Sequence, residues 1–311
     1  MISVIIPIYN GEKYIENLFK MLEKQIYKDF EVILIDDGST DNSVKLIEKL
    51  MPKQNRYRFY SYSNHGVSWA RNFAMTKVKG DYFTFIDCDD YISEDYLNVL
   101  VQYCNDQIDA VFCKINILDE NLKVIKCQSI DEKEYPADEL LFKLLDFKDL
   151  NTGPCGKLIN SRLINKSIKF PNLKIYEDLL FNIDLLSNNI NLRVYFTNKV
   201  SYDYIQHKNS GAMASFNQHP SKDVIIAMEY ALRKIKNHDD YDYLFYRILS
   251  QVMIYSVNCS LQKDKYFIKE TQKFLRKHLY DLLTNSTINK NEKKLYIIYT
   301  ISFKIFKYIR S

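Results

Sequence analysis

Three carboxylates stand within four residues at the end of an apolar stretch. Residues 81–90 read Asp-Tyr-Phe-Thr-Phe-Ile-Asp-Cys-Asp-Asp, and residues 82–86 have the length and the aromatic content of a buried strand. The three acids at its end, Asp87, Asp89 and Asp90, repel one another and resist desolvation unless a cation lies among them. Carboxylate oxygens suit a hard divalent ion such as Mg²⁺ or Mn²⁺, and such ions commonly hold diphosphates. The stretch therefore indicates an enzyme that uses a nucleotide, whereas an isolated Asp-x-Asp is more often a solvated acidic turn.

The elements that position these acids alternate between strand and helix through the first ninety residues. We predict strands over residues 3–6, 30–35, 58–62 and 82–86, with helices over residues 14–25, 44–50 and 67–78 between them. This alternation predicts a parallel sheet, and ligands bind such sheets at the carboxyl ends of the strands. Polar clusters stand at three of those ends: Asn10-Gly11, residues 36–39 and residues 87–90. Three polar clusters on one rim of one sheet predict a single site.

The rest of the chain changes character twice. Residues 96–210 mix helix and strand patterns, and the pattern after about residue 221 is helical to the end. We predict helices over residues 96–104, 137–145 and 178–186, strands over residues 109–117, 122–128, 192–196 and 200–205, and C-terminal helices over residues 221–236, 240–261, 264–283 and 290–310.

Composition and charge exclude several classes of protein. The chain is 47% apolar and 26% charged, so it can build a core, and no window reaches the roughly 18 uninterrupted apolar residues of a membrane span. Met1 leads directly into a strand, so we expect no signal peptide, and six well-separated cysteines fit reduced cytosolic thiols. Residues 291–311 hold five basic side chains and one acid. Removing them from the totals of 43 basic and 39 acidic residues leaves 38 of each, which argues against a nucleic-acid binder.

Four motifs in order resemble glycosyltransferase family 2. They are Val-Ile-Ile-Pro-Ile-Tyr-Asn (4–10), Ile-Asp-Asp-Gly-Ser-Thr-Asp (35–41), Asn-His-Gly-Val-Ser-Trp-Ala-Arg-Asn (64–72) and Asp-Cys-Asp-Asp (87–90). A later segment, Tyr-Glu-Asp-Leu-Leu-Phe (176–181), resembles the family's Glu-Asp segment and extends the match to about residue 210. The resemblance implies the GT-A fold, a Rossmann-like mixed α/β sheet, and transfer of a sugar from a nucleotide diphosphate with inversion.

The resemblance also implies a division of the chain. We expect a GT-A catalytic domain over residues 1–215, with a nucleotide-binding half (1–95) and an acceptor-binding half (96–215). An α-helical C-terminal extension over residues 216–311 follows, and it matches no motif of the family.

The first two motifs are expected to bind the nucleotide. By resemblance, the backbone around Pro7 and Tyr9 cradles the base, while Asn10 also turns the chain at the end of the first strand. The resemblance gives Asp37 the task of accepting the ring N–H of a uracil. The alternative for its loop is that it only caps the following helix.

The third motif extends the nucleotide site. Asn64 precedes Gly66, a residue that allows a close approach of the backbone. Arg71 on the following helix can reach a phosphate or the base, and the alternative for Arg71 is an ion pair with a neighbouring Asp.

The acidic triplet and the Glu-Asp segment carry the expected chemistry. Asp89 is the first choice for a metal ligand, Asp87 holds the ribose hydroxyls or shares the metal, and Asp90 is a second ligand or supports the ligands from behind. Inverting transfer needs a general base, which the resemblance places at Asp178, with Glu177 as the alternative. Two acids at a helix N-terminus are otherwise ordinary complements of the helix dipole.

Two weaker segments complete the expected site. Residues 153–158 resemble a family segment that usually has a bulky aromatic residue or Asn before its Lys, and small residues stand there in this chain. Lys157 is accordingly either on the acceptor side or on the surface. Residues 204–211 lie where the family places a mobile loop over the diphosphate. There His207 would complete the metal shell, or be a solvated loop residue, and Lys208 would meet a phosphate.

The sequence thus predicts an inverting hexosyl- or N-acetylhexosaminyltransferase that depends on Mn²⁺ or Mg²⁺. The expected substrates are a UDP-sugar and a lipid-linked or oligosaccharide acceptor, in the synthesis of a cell-surface polysaccharide such as a capsule. A nucleotidyltransferase is an alternative, but it needs a Gly-rich basic loop that residues 7–11 lack. A non-catalytic nucleotide-sugar-binding protein is another, but we would expect it to have lost an acid at position 37, 89 or 178.

The basic tail suggests a location for the protein. From residue 294 to 310 apolar residues recur at helical spacing, while Lys304, Lys307 and Arg310 lie off that stripe. Such a helix can lie in the interface of an anionic bilayer, which predicts a cytoplasmic protein held peripherally on the inner face of the membrane. The alternative is that its apolar face packs on the helical C-terminal region or on a second copy of the chain in a homodimer.

Overall fold

The structure, a computed structural model, describes residues 1–164, 168–188, 191–207, 222–261 and 265–303; of residues 257–261 and 265 it describes the backbone alone. The chain divides into two compact units. The first comprises residues 1–144, 148–172 and 177–208, and the second comprises residues 145–147, 173–176 and 209–311. The domain bounds expected at residues 95 and 215 stay predictions.

The first unit is built on one mixed sheet. Its strands are β1 (Ile2–Ile8), β2 (Phe30–Asp37), β3 (Tyr57–Tyr62), β4 (Tyr82–Phe85), β5 (Tyr91–Ile92), β6 (Ala110–Leu118), β7 (Val124–Cys127), β8 (Lys133–Pro136), β9 (Lys157–Asn160) and β10 (Arg193–Ile205). Their order is β3-β2-β1-β4-β9-β6-β10-β5, with β7 beside β6 and β8 beside β10. Strands β1 to β4 run parallel to their neighbours within that group, and β9 is antiparallel to β4 and β6. The mixed α/β sheet expected from the resemblance is confirmed.

Six α-helices of the described residues begin within this unit. They are α1 (Glu12–Lys24), α2 (Ser43–Leu50), α3 (Val67–Met75), α4 (Tyr96–Val101), α5 (Ala137–Leu145) and α6 (Glu177–Ser187). Every residue of β1 and β2 is buried, as expected for central strands covered on both faces. The helix predicted over residues 14–25 forms as α1, and its buried residues Ile15, Leu18, Phe19 and Leu22 have the spacing of one helical face.

The carboxyl ends of the parallel strands meet as the sequence predicts. The backbone N–H of Asn10 donates to Ser39 Oγ at 2.9 Å, and that of Gly11 donates to Ser43 Oγ at 2.9 Å. The third cluster is also adjacent, because a Cβ at Gly11 would lie 3.2 Å from Cys88 Sγ. The three polar clusters therefore share one rim of the sheet.

Two predicted strands are one strand in the structure. The strands expected over residues 192–196 and 200–205 form the single strand β10, which changes register between Thr197 and Tyr202. Polar residues 198–199 resemble a loop in the sequence, but the backbone stays paired with β6 through this irregularity. The helix expected over residues 67–78 ends earlier, at Met75.

The second unit is helical. Its helices are α7 (Asp223–Lys234), α8 (Tyr241–Leu261), α9 (Lys265–Lys277), α10 (Leu279–Thr284) and α11 (Lys290–Ile301). The predicted helix over residues 264–283 is interrupted at His278, which precedes α10. The buried face of α8 includes Leu244, Phe245, Ile248, Leu249 and Val252, which are fully buried. Of the helices described, none is both long enough and apolar enough to cross a bilayer.

The helix predicted over residues 290–310 is interrupted at Ser302. Helix α11 ends at Ile301, and Ser302 is extended, with φ −149° and ψ 110°. Tyr299 is fully buried, its hydroxyl hydrogen-bonds with Ser256 Oγ, and Gln272 donates to its carbonyl at 2.9 Å. The described part of the helix therefore packs within the helical unit, as the alternative interpretation expected. Residues 304–310, which carry the basic side chains, lie outside the described residues.

Gly38 provides a test of how tightly the rim is packed. It follows β2 with φ +76°, and a Cβ there would lie 2.5 Å from the backbone nitrogen of Asn64. A left-handed conformation costs a non-glycine residue about 1–2 kcal/mol, and the contact with Asn64 adds to that cost. We expect Gly38→Ala to lower the melting temperature by about 4 °C or more, measured by thermal unfolding.

Gly153→Ala is the matched control. Gly153 lies outside the left-handed region, and its Cβ would meet a side-chain atom of Asn151 at 3.2 Å. A smaller change is therefore expected. Equal losses in the two variants would show that the approach of Asn64 to Gly38 is not tight.

Candidate functional site

Asp37 is held in one orientation by backbone donors. Its Oδ1 accepts the N–H of His65 and its Oδ2 accepts the N–H of Gly66, both at 2.8 Å. The Asn64 side chain donates to the Asp37 carbonyl at 3.0 Å. Asp37 is only 3% exposed, so these bonds stabilise a carboxylate that has little water around it. The end of β2 and the loop before α3 therefore form a rigid unit with one carboxylate at its centre.

The first motif lies beside this unit. Pro7 is buried within β1 and pairs with Ile35, whereas Tyr9 is 54% exposed. Asn10 has φ +51°, and its side-chain oxygen accepts the N–H of Thr40 at 2.8 Å. The structure thus gives Asn10 a role in joining two loops, and it leaves Tyr9 as the accessible side chain of this motif.

An aromatic stack that the sequence motifs did not predict supports the loop that holds Asp37. The ring of His65 stacks on Trp69 with centroids 4.6 Å apart, and Trp69 stacks on Phe73 at 5.2 Å. Tyr62 meets both Trp69 and Phe73 edge-on. The spacing of residues 65, 69 and 73 is that of one helical face, which was the available signal.

Asp90 is the buried member of the acidic triplet. Tyr202 donates its hydroxyl to Asp90 Oδ2 at 2.6 Å, and the N–H of Ile205 donates to Oδ1 at 2.9 Å. Burial raises the pKa of Asp90 well above its ordinary value, and the charges of Asp87 and Asp89 raise it further. Both oxygens are engaged in tying β10 to the rim, so Asp90 fits a supporting role better than that of a ligand.

Asp87 and Asp89 are the more accessible acids. Their side chains are 26% and 33% exposed. Burial raises the pKa of Asp89, and repulsion from Asp87 adds to the shift. The structure also brings His207 to this point, because its Nε2 lies 3.3 Å from Asp89 Oδ2 and 3.2 Å from the Tyr14 hydroxyl. His207 is therefore not the solvated loop residue of the alternative interpretation.

These groups fit a divalent metal ion. Asp87 and Asp89 offer carboxylate oxygens, and His207 offers a ring nitrogen, a set that suits Mn²⁺ or Mg²⁺. Burial and repulsion from Asp87 both disfavour the charged form of Asp89, and a bound cation would offset both effects. A second grouping, in which Cys155 joins Asp87 and Asp90, has ligand atoms within 4.8 Å of one another. It fits less well, because burial raises the pKa of the Cys155 thiol well above its ordinary value and keeps it protonated.

The two acids at the start of α6 face Arg71. The Asp178 carboxylate accepts a hydrogen bond from Arg71 Nη1 at 2.6 Å, and Glu177 Oε1 lies 3.7 Å from the same nitrogen. Arg71 Nη2 donates to Asp87 Oδ1 at 2.9 Å. One guanidinium thus joins the acidic triplet to the Glu-Asp segment, which is the ion-pair alternative considered for Arg71.

Asp178 has an unusual environment for a carboxyl group. Burial raises its pKa to about 8, against the attraction of Arg71, and repulsion from Glu177 and Asp87 contributes to the rise. Its side chain keeps 26% of its surface exposed. Asp178 therefore combines access from solvent with a high affinity for a proton, which are the two properties a general base requires.

Lys157 is buried rather than on the surface. It is 3% exposed on β9, and its ammonium group donates to the carbonyl of Gly153 and, at 3.4 Å, to that of Asn151. Burial lowers the pKa of Lys157 to about 8. Asn182 of α6 donates to the carbonyl of Thr152 at 2.8 Å, so the same loop is fixed from two sides. The surface interpretation of Lys157 is wrong, and Lys208 lies outside the described residues.

Comparison with known proteins identifies a family and several relatives of this chain. The profile described as "Glycosyl transferase family 2" matches residues 3–167, just over half of the chain. An uncharacterized glycosyltransferase of Haemophilus influenzae is 32% identical over 194 residues, which cover 60% of this chain and 72% of the relative. Glycosyltransferase GlyG of Streptococcus pneumoniae is 28% identical over 237 residues, 72% of this chain and 77% of the relative.

Similar solved structures include residues 1–349 of Staphylococcus aureus TarS in complex with UDP-GlcNAc. It superposes with a TM-score of 0.75 at 24% identity and covers 96% of this chain and 87% of that one. A mannosyltransferase of Pyrobaculum calidifontis in complex with GDP-Man and Mn²⁺ has a TM-score of 0.53 at 14% identity, over 92% of this chain and 87% of that one. Identities this low show the fold alone. The family profile matches more than half of the chain, and the chain therefore belongs to glycosyl transferase family 2.

Proposed function

We propose that this glycosyltransferase moves a hexosyl or N-acetylhexosaminyl group from a UDP-sugar to a saccharide hydroxyl, with inversion at the anomeric carbon. The observation that carries the proposal is the assembly, around one strand-end rim, of a fixed carboxylate at Asp37, the acids Asp87 and Asp89, and a carboxyl of raised pKa at Asp178. A relative gives the sugar class further support. Poly(ribitol-phosphate) beta-N-acetylglucosaminyltransferase TarS is 30% identical over 205 residues, 60% of this chain and 32% of TarS.

Asp37 is proposed to select uracil. Each of its oxygens accepts one backbone N–H, which leaves each oxygen a further lone pair. The ring N–H of uracil is a donor that matches this acceptor, whereas the corresponding ring nitrogen of cytosine is itself an acceptor. Because Asp37 cannot turn away without breaking both backbone bonds, it discriminates by leaving a mismatched base unpaired.

Asp178 is proposed to act as the general base. It accepts the proton of the attacking hydroxyl on a carboxylate oxygen while that hydroxyl oxygen bonds to the anomeric carbon and the sugar–phosphate bond breaks. The proton stays on Asp178 until solvent removes it. Glu177 is 12% exposed and lies 3.7 Å from Arg71, so it remains the alternative base.

A divalent ion held by Asp89 and Asp87, with His207, would supply positive charge to the departing diphosphate. Both carboxylates are partly exposed, at 26% for Asp87 and 33% for Asp89, so an ion can reach them from solvent. Asp90 contributes indirectly, since its bonds to Tyr202 and Ile205 fix the backbone that carries Asp87 and Asp89.

The acceptor is proposed to be a growing cell-surface polysaccharide, lipid-linked or as an oligosaccharide. The name of one relative, TarS, gives poly(ribitol-phosphate) as its acceptor, which supports a polymeric acceptor for this chain. A nucleotidyltransferase is disfavoured by the family match and by a first loop that lacks basic residues. A non-catalytic role is disfavoured because the acids at positions 37, 89 and 178 are all present at the rim.

The first test concerns the donor and the metal. We expect UDP to bind more tightly than CDP, because the ring nitrogen of cytosine cannot donate to Asp37. We expect it to bind more tightly than GDP as well, because a purine carries its ring N–H farther from the ribose than uracil does. We expect chelation to weaken binding, because the acidic rim then repels the diphosphate. Isothermal titration calorimetry with the three nucleotides, each with Mn²⁺ and with EDTA, measures both effects. Equal affinity for all three nucleotides, or affinity untouched by EDTA, would contradict the proposal.

The second test concerns the base. Asp178→Asn should lower the transfer rate by about 10²–10⁴-fold while UDP affinity stays within about threefold, because a general base contributes on that scale and touches the acceptor. Glu177→Gln is the matched variant, and a larger loss there would move the role to Glu177. Since only the deprotonated carboxylate acts as a base, the wild-type rate should rise with pH toward a pKa of about 8, and this limb should vanish in Asp178→Asn.

The third test concerns peripheral membrane association through the basic tail. Truncation after Phe303 leaves α11 and its packing in place and removes the charged residues 304–310. We expect the full chain to co-sediment with anionic vesicles at low salt and the truncated chain to remain in solution, since each basic residue contributes about 1 kcal/mol near such a surface. Equal binding by both chains would rule out the tail. A change of oligomeric state on truncation would favour the homodimer.

A further inference from the structure

Arg71 is almost completely enclosed. It is 4% exposed on α3, and its guanidinium lies 5.3 Å from the ring centre of Phe170. Its two terminal nitrogens are both committed to carboxylates, one to Asp178 at 2.6 Å and one to Asp87 at 2.9 Å. A planar fork of this kind fixes both partners at once, which a single ammonium group cannot do with the same geometry.

This arrangement argues against a direct contact between Arg71 and the nucleotide. To reach a phosphate or a base, Arg71 would have to break two charge-assisted hydrogen bonds to carboxylates, which are among the stronger hydrogen bonds in proteins. Burial opposes the charge of Arg71, but Asp178 and Asp87 together raise its pKa above the ordinary value, so the cation is retained. The geometry places Arg71 behind the reacting groups rather than among them.

The residue next to Arg71 holds the same elements together. Asn72 Nδ2 donates to the carbonyl of Phe170 at 2.7 Å, and Asn72 Oδ1 accepts the N–H of Phe170 at 2.9 Å. The Phe170 ring stacks in parallel on Phe181 of α6, with centroids 4.2 Å apart and planes 4° apart. Two consecutive residues of α3 thus fix α6, one through charge and one through packing.

Helix α3 also begins at the loop that orients Asp37. Val67, its first residue, follows Gly66, whose N–H is one of the two donors to Asp37. A single short helix therefore carries contacts to the base-selecting carboxylate at one end and to Asp87 and Asp178 further along. Its position sets the geometry of the rim and of the Glu-Asp segment together.

We infer that Arg71 is a positioning residue, which holds the Asp178 carboxylate in a fixed place relative to Asp87 without touching the nucleotide. The inference rests on the proposed function, since it gives Asp178 the role of general base. Arg71 acts through Asp178, and Asn72 contributes to the same placement through Phe170 and Phe181.

The test separates placement from nucleotide binding. Arg71→Lys and Arg71→Gln should each lower kcat by about 10²-fold, because a misplacement of about 1 Å can cost that much, while KM for the UDP-sugar and Kd for UDP stay within about threefold. Asn72→Ala should lower kcat in the same way, by a smaller factor, without removing any charge. Arg58→Lys is the control, because Arg58 donates to Glu31 at 2.6 Å near the start of β3, away from the rim.

The pH profile provides a readout that a loss of stability alone would not move. The charged groups around Asp178 are Arg71, Glu177, Asp87 and Lys157. Removing the Arg71 cation takes away an attraction for the carboxylate, so the acid limb of the rate should move to higher pH in Arg71→Gln and much less in Arg71→Lys. Melting temperatures, compared with Arg58→Lys, show whether each variant is folded.

The outcomes are distinguishable. A loss of UDP affinity of tenfold or more in folded Arg71→Lys, with kcat maintained, would overturn the inference and make Arg71 a nucleotide ligand. Unchanged kcat in Arg71→Lys, Arg71→Gln and Asn72→Ala would also overturn it, with the proposed function intact. If the wild-type protein transfers no sugar from any UDP-sugar and does not bind UDP, the proposed function itself is wrong and the inference falls with it.

Discussion

One buried guanidinium balances carboxylates that stand far apart in the chain. Arg71 bonds to Asp178, 107 residues away, and to Asp87, 16 residues away. Removing one partner of such a buried pair leaves an uncompensated charge, which typically costs about 3–5 kcal/mol. The charges at the rim are therefore paired only when α3, the end of β4 and the start of α6 meet at Arg71. The same constraint brings the acids on which the proposed chemistry depends into one place.

Burial affects the charged residues in and around the rim in different ways. Asp90 is held by a tyrosine hydroxyl and a backbone N–H, yet burial and the charges of Asp87 and Asp89 raise its pKa well above the ordinary value. Asp89 has more surface and fewer partners, and burial together with repulsion from Asp87 raises its pKa. By contrast, burial lowers the pKa of Lys157, although its ammonium group donates to the backbone carbonyls of Gly153 and Asn151. Three charged residues of one site thus respond to burial in ways that their sequence context does not reveal.

Much of the sheet could be predicted because its signals are local. The first four strands and the face of α1 follow from apolar runs and helical spacing, and those patterns are decided within a few residues. The clustering of Asn10, residues 36–39 and residues 87–90 followed from the rule that parallel strands end together. In contrast, β9 has four residues and is defined by antiparallel pairing with β4 and β6, so nothing within its own sequence identifies it. The ion pairs of Arg71 have the same character, since they depend on elements that only the finished fold brings together.

The acceptor side illustrates the limit of reasoning from a motif. The segment before Lys157 has small residues where the family usually has a bulky one, which could be taken for space left to a substrate. The structure favours another explanation. Gly156 has φ +70°, and a Cβ there would lie 2.7 Å from the Ile115 side chain, so the sheet itself occupies the space. The small residue is required by packing against β6, and it also allows the Gly156 carbonyl to accept the N–H of Cys113 at 2.9 Å. Packing against β6 thus accounts for the departure from the family pattern at this position without reference to a substrate.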